Sequence, residues 1–275
     1  MRNRFIIRLA LLAALAASPA FASVETSYQA AREAFNKGRM DRFHAHAAKV
    51  PQDHLLAPYI QYWRLKSNSP TVEDQLAFIE RYPDTQLSDR VRADLARLFG
   101  QGENWPAFRQ QFQALMKPDQ ELQCFEVRAR LNEGRQEAGK DGIALWRTSR
   151  DLPSACDPLF AALAERGILT LEERFVRLRL ALDTGNLRLA RELNARLPEE
   201  QGMDADALDR GQKGDEKLLA TPMERRGQRE AALHALTQIA RNDPAQAARL
   251  WEQHQAAFPE SRSEERRVGK ECEDL

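Results

Sequence analysis

The residues best placed to do chemistry are two cysteines, set in Gln123-Cys124-Phe125-Glu126 and Ala155-Cys156-Asp157-Pro158-Leu159-Phe160. Their separation of 32 residues is too wide for a Cys-x-x-Cys redox pair, and no histidine is placed to complete a zinc set with them. The N-terminus bears on what they do. Arg2, Arg4 and Arg8 form a basic region, Leu9 to Ala17 is apolar, and Ala20-Phe21-Ala22 has the small-x-small form of a signal cleavage site. A leader over residues 1–22, cut between Ala22 and Ser23, would deliver the thiols to an oxidising compartment. There Cys124 and Cys156 are expected to pair as a structural disulfide, with two buried reduced thiols as the alternative.

Other chemical candidates are weaker. His44 and His46 stand two apart, which on a helix puts them on different faces, and His54 lies beyond Pro51. Four converging ligands are not in view, so neither a metal nor a cofactor is expected. Tyr59, Tyr62 and Trp63 could stack on sugar rings, but Pro58 opens a helix on which Tyr59 and Trp63 are ordinary i, i+4 packing neighbours. Trp105, Trp146 and Trp251 read as seam residues of separate hairpins. Arg174, Arg177 and Arg179 are interleaved with Glu172, Glu173 and Asp183, and the reading preferred is a solvated charged face.

The elements that must position these residues are helices. Ala, Leu, Arg, Glu and Gln dominate, and no alternating strand pattern occurs, so the fold class is all-α. Thr170 and Glu173 form an expected capping box, after which Leu171, Phe175, Leu178 and Leu182 share one face. Gly185 ends that helix, and Leu187, Ala190, Leu193 and Leu197 carry the next up to Pro198. Asp157-Pro158 and Asp243-Pro244 each read as an N-cap acid before an N1 proline. Polar turns recur around Gly38, Gly102, Gly134 and Asn242 at irregular spacing. The architecture expected is a degenerate solenoid of irregular helical hairpins, only loosely tetratricopeptide-like.

Three segments are read separately. Residues 23–261 form the scaffold domain. Within it, residues 199–229 are a polar connection, expected to be the least ordered interior stretch. Residues 262–275 have no apolar period, add Cys272, and are similar to a run found at the ends of unrelated truncated gene fragments, so they are set aside as non-native. Trp251 and Phe258 are expected to leave an exposed apolar seam before that tail, favouring self-association.

Charge limits the partners. The chain has 41 basic and 41 acidic residues, and removing Arg2, Arg4 and Arg8 with the leader leaves 38 against 41, a charge of −3. Nucleic acid would want a concentrated basic surface. Past the leader no run is apolar enough for a membrane span, and no cysteine follows the cleavage site to carry a lipid.

Several phrases, taken in order, resemble the N-terminal part of the soluble lytic murein transglycosylase family. They are Leu56-Ala57-Pro58-Tyr59-Ile60-Gln61-Tyr62-Trp63-Arg64-Leu65, Glu80-Arg81-Tyr82-Pro83, Trp105-Pro106-Ala107-Phe108, both cysteine phrases, Leu180-Ala181-Leu182-Asp183-Thr184-Gly185-Asn186 and Ala235-Leu236-Thr237-Gln238-Ile239-Ala240-Arg241. The resemblance implies a periplasmic, U-shaped superhelical scaffold that works with linker and catalytic domains on peptidoglycan glycan strands. It implies cleavage of the β-1,4 bond between N-acetylmuramic acid and N-acetylglucosamine to a 1,6-anhydro product. The family's Gly-Leu-Met-Gln and Ala-Tyr-Asn phrases do not occur here, and Glu260-Ser261 is the sole Glu-Ser pair. No catalytic residue is therefore assigned, and the chain alone is expected to be inactive. The rival reading is a stand-alone periplasmic helical-repeat interaction module.

Overall fold

The computed structural model describes residues 19–204 and 206–258. Residues 1–18, the body of the expected leader, and residues 259–275, with Glu260-Ser261 and Cys272, lie outside the described residues. The expected cleavage point between Ala22 and Ser23 falls within the first helix, α1 (Pro19–Asn36). The described residues are all-helical, without strands, and no helix among them is long and apolar enough to cross a membrane. The chain divides into two compact units, Met1–Lys117 and Pro118–Leu275.

The first unit comprises α1, α2 (Met40–Ala47), α3 (Ala57–Ser67), α4 (Val72–Arg81), α5 (Gln86–Gln101) and α6 (Trp105–Phe112). Side-chain oxygens start its helices. Thr71 and Asp74 exchange both bonds of a capping box, at 3.1 and 3.0 Å, while Thr85 and Asn104 cap α5 and α6. Its core is aromatic. Trp63 stacks between Tyr28 at 5.4 Å and Phe35 at 5.7 Å, and Phe35 leans on the fully buried Phe43. Trp63 is thus a core residue, as its spacing predicts. Tyr59 packs edge-on to Tyr28 and keeps part of its ring in solvent.

The second unit begins with α7 (Gln120–Asn132) and α8 (Ala138–Trp146). A short 3-10 turn, Ser154–Cys156, then runs directly into α9 (Asp157–Glu165). Asp157 is accordingly the first helical residue and Cys156 holds the cap position, so the expected Asp157 N-cap does not form. Asp243 does cap as predicted, accepting from the Gln246 N–H at 2.8 Å. α10 (Leu171–Asp183) and α11 (Leu187–Ala195) match the predicted hairpin, with Gly185 at φ +73° making the turn. The capping box is only half made. Thr170 accepts from Glu173 N–H at 3.3 Å, but the Glu173 carboxylate is taken by Arg147 at 2.8 Å.

The remaining elements are α12 (Ala207–Gln212), α13 (Lys217–Ala220), α14 (Arg226–Asn242) and α15 (Pro244–His254). The stretch read as a polar connection holds only the short helices α12 and α13 before α14 begins, and its few apolar residues pack inward. Met203, Leu208, Leu218 and Leu219 are all buried. Gly227 lets the start of α14 lie against residues 202–203, where a Cβ would come within 2.2 Å of the Gly202 backbone. Phe258 is also buried, stacked on Trp251 at 5.5 Å above Leu218 and Leu219. That packing replaces the exposed seam expected at this point.

Candidate functional site

Each unit carries a cleft, and the two differ in chemistry. In the first unit, α3 and α4 enclose a groove of about 320 Å³ lined by Gln61, Arg64, Asn68, Asp74, Arg81 and Tyr82 among others. Leu65, Pro70, Ala77 and Phe78 complete the lining, so the groove is polar on one part and apolar on the other. Asp74 is held by its cap, and Arg81 donates to Gln52 at 3.1 Å. Arg81 also lies 5.5 Å over the Tyr82 ring, and the Tyr82 Oη is shielded from solvent without a hydrogen-bond partner. Amide, guanidinium and carboxylate groups converge here without a nucleophile beside a base. The groove can hold a polar, hydrogen-bonding ligand.

In the second unit a cleft of about 340 Å³ has an apolar floor of Trp146, Phe160, Leu169 and Leu193 and a charged lip of Asp157, Arg174 and Arg196. The floor exists because the α8–α9 and α10–α11 hairpins leave room where their seams meet. Trp146 is fixed there by donating its indole N–H to the Glu173 carbonyl at 2.9 Å.

The arginine-rich face of α10 is not the solvated surface expected. Arg177 is buried, its guanidinium 4.4 Å from the Trp146 ring and donating to the Arg150 carbonyl at 3.2 Å. Burial lowers its pKa to about 10, so it stays charged at neutral pH. Arg179 lies 2.8 Å from Glu172 and 3.1 Å from Glu230, while Arg226 pairs with both glutamates and stacks 4.2 Å over Phe175. Burial raises the Glu230 carboxyl pKa against the opposing pull of Arg179 and Arg226. Glu172 is also pushed up by burial, but Arg226 and Arg179 outweigh this and hold it below the ordinary range. No sequence period could show this, since the partners on α14 are some 50 residues away, as in the Arg226–Glu172 pair separated by 54.

Glycosidic cleavage requires a carboxylic acid, often with a raised pKa, presented to substrate in a cleft. Glu230 has the raised pKa but is buried between two guanidinium groups and lines neither cleft. Its role is to join α10 to α14.

The remaining sequence candidates are dispersed. A disulfide joins Cys124 on α7 to Cys156 before α9. His44 is exposed beside Phe43. His46 lines a small hollow with Glu33 and Arg42, and His54 Nδ1 accepts from the Leu56 N–H at 3.2 Å. No group of three or more metal-ligating side chains gathers among the described residues.

The described residues thus form an all-α array of helical hairpins in which Glu230, the carboxyl of raised pKa, lines neither cleft. The comparisons with known proteins sharpen that picture. No protein-family model matches the chain. It is 26% identical over 161 residues to the soluble lytic murein transglycosylases of Salmonella typhimurium and Escherichia coli K12, a match covering 57% of this chain. It spans about 25% of the length of these curated relatives. Among solved structures, the Pseudomonas aeruginosa lytic transglycosylase, as an inactive mutant, matches with TM-score 0.65 at 24% identity. That match covers 85% of this chain and 38% of the other. The 70 kDa soluble lytic transglycosylase of Escherichia coli matches with TM-score 0.63 at 22% identity, covering 85% of this chain and 39% of the other. The chain is thus similar, over part of their length, to soluble lytic murein transglycosylases, and shares the helical fold of the solved ones.

Proposed function

We propose that this chain is the non-catalytic helical scaffold of a periplasmic lytic transglycosylase, holding murein glycan strands for a catalytic domain outside it. That domain would cleave the N-acetylmuramic acid to N-acetylglucosamine bond and leave a 1,6-anhydro end. The observation that carries the reading is the hairpin fold, which aligns with transglycosylase structures over 85% of the chain, while the described acid of raised pKa lies away from both clefts. The α3–α4 groove is the murein contact. Gln61, Arg64 and Asn68 supply donors and acceptors to sugar hydroxyls and N-acetyl groups, and Asp74 stays committed to its helix cap.

The test uses the chain without residues 1–22 and purified murein sacculi. Co-sedimentation with sacculi is expected without release of anhydromuropeptides, and Arg64→Ala with Asn68→Ala should weaken sedimentation about tenfold. Release of 1,6-anhydromuropeptides by this chain would overturn the scaffold role. Sedimentation unchanged by the double substitution would remove the groove from the reading.

A further inference from the structure

The cleft of the second unit is unlike a surface hollow left by loose packing. Its floor is fixed before anything binds. Trp146 is anchored by its indole N–H, braced on one side by Arg177 and packed edge-on to Phe160 with ring centroids 4.9 Å apart. All of the floor side chains are buried and none depends on a ligand for position. At about 340 Å³ the cleft lies toward the small end of ligand sites.

The lip supplies a second, independent observation. Arg174 donates to the Arg196 main-chain carbonyl at 3.2 Å, which places both residues on one side of the opening. Neither guanidinium meets a carboxylate among the described residues. Four other arginines of this unit do. Arg147 pairs with Glu173, Arg179 with Glu172, Arg188 with Asp151 and Arg191 with Asp209. Two uncompensated guanidinium groups beside an apolar floor match a ligand with one carboxylate and an apolar body. Asp157 stands at the first turn of α9 on the same lip. Its charge disfavours a dianion and offers an acceptor to an N–H group.

We propose that this cleft binds the carboxyl-terminal end of a peptide whose last residue is apolar. The terminal carboxylate sits on Arg174 and Arg196, the last side chain enters the well over Trp146 and Phe160, and Asp157 accepts from a peptide N–H. A preformed floor keeps the ordering cost low. The inference stands on the second unit alone and does not depend on murein binding.

The probe is the dipeptide acetyl-Ala-Phe, titrated calorimetrically into the chain lacking residues 1–22, against the same dipeptide with its carboxylate amidated. The free acid is expected to bind roughly tenfold or more tightly than the amide. Arg174→Gln and Arg196→Gln should each erase that preference. Because Arg196 is exposed, its variant should melt with the parent, which separates lost binding from lost fold. Leu193→Trp fills the well and should block the acid and the amide alike. Equal affinity for acid and amide overturns the proposal, as does binding indifferent to both arginine substitutions or no binding at millimolar peptide.

Discussion

The two units solve the same packing problem with different materials. In the first, α1, α2 and α3 are held by a chain of rings, Tyr28 on Trp63 on Phe35 on Phe43, with no covalent link and few buried charges. In the second, the core is mainly aliphatic, built on Leu131, Leu159, Leu163, Leu178 and Leu182 with Trp146, Phe160 and Phe175 set among them, and strengthened by a disulfide and a buried ionic cluster. Rings bury a large area with few rotatable bonds, so the first unit needs no further tie. The second draws helices from distant parts of the chain together, and directional or covalent links fix which helix meets which. The contrast extends to the clefts, a groove of mixed polar and apolar lining in the first unit and an apolar well with a charged lip in the second.

The comparison can be broken most severely at Phe43. Truncation to Ala removes a fully buried ring against which Phe35 packs, and should cost about 3–5 kcal/mol. Hydrogen exchange should rise first in α1 and α2. Equal loss of protection throughout both units would show that they fold as one body and that the aromatic chain has no local role.

Next in size is the disulfide. Replacing Cys124 and Cys156 with Ser opens a closed loop and should cost roughly 3–4 kcal/mol by loop-closure entropy. Denaturant melts of the oxidised and Ser-substituted chains would measure it. Exchange should rise in α7 and α9 while the aromatic core of the first unit keeps its protection. A melt unchanged by the substitution would mean that aliphatic packing alone holds these helices.

The smallest effect tests the ionic cluster through pH. The raised pKa of Glu230 means that the folded state holds its proton more tightly than the unfolded chain, whose value is near 4.5. Its carboxylate therefore costs stability progressively as pH rises from the unfolded value through the folded one. Against Glu230→Gln, the parent should lose relative stability over that rise. A difference that is flat, or that grows with pH, would show that Arg179 and Arg226 overcome the desolvation.

Much of this molecule was legible in its residues. The α10–α11 hairpin, the Gly185 turn, the Asp243 cap and the burial of Trp63 all follow from spacings within one or two helical turns. Where the reading failed, a distant partner intervened. Glu173 left its capping box for Arg147, and Asp157 lost the cap to the 3-10 turn that ends at disulfide-bonded Cys156. Residues 199–229 read as a polar connection, and the structure adds how it packs, through Met203, Leu208, Leu218 and Leu219 and the close approach at Gly227. At the turn after α5, Glu103, not Gly102, takes the left-handed conformation, with φ +55°. Choosing between neighbours in a turn depends on how the next helix must leave it.

The amino-acid sequence by itself determined the helical class, the hairpin grammar and the family likeness, because helix periodicity and caps are local properties of a chain. Only the tertiary structure decided which charges are buried and which clefts exist. Arg177 reads like Arg174 in the sequence, yet one lies against Trp146 and the other lines the lip of a well. The physical reason is that solvation of a guanidinium depends on side chains brought to it from other helices.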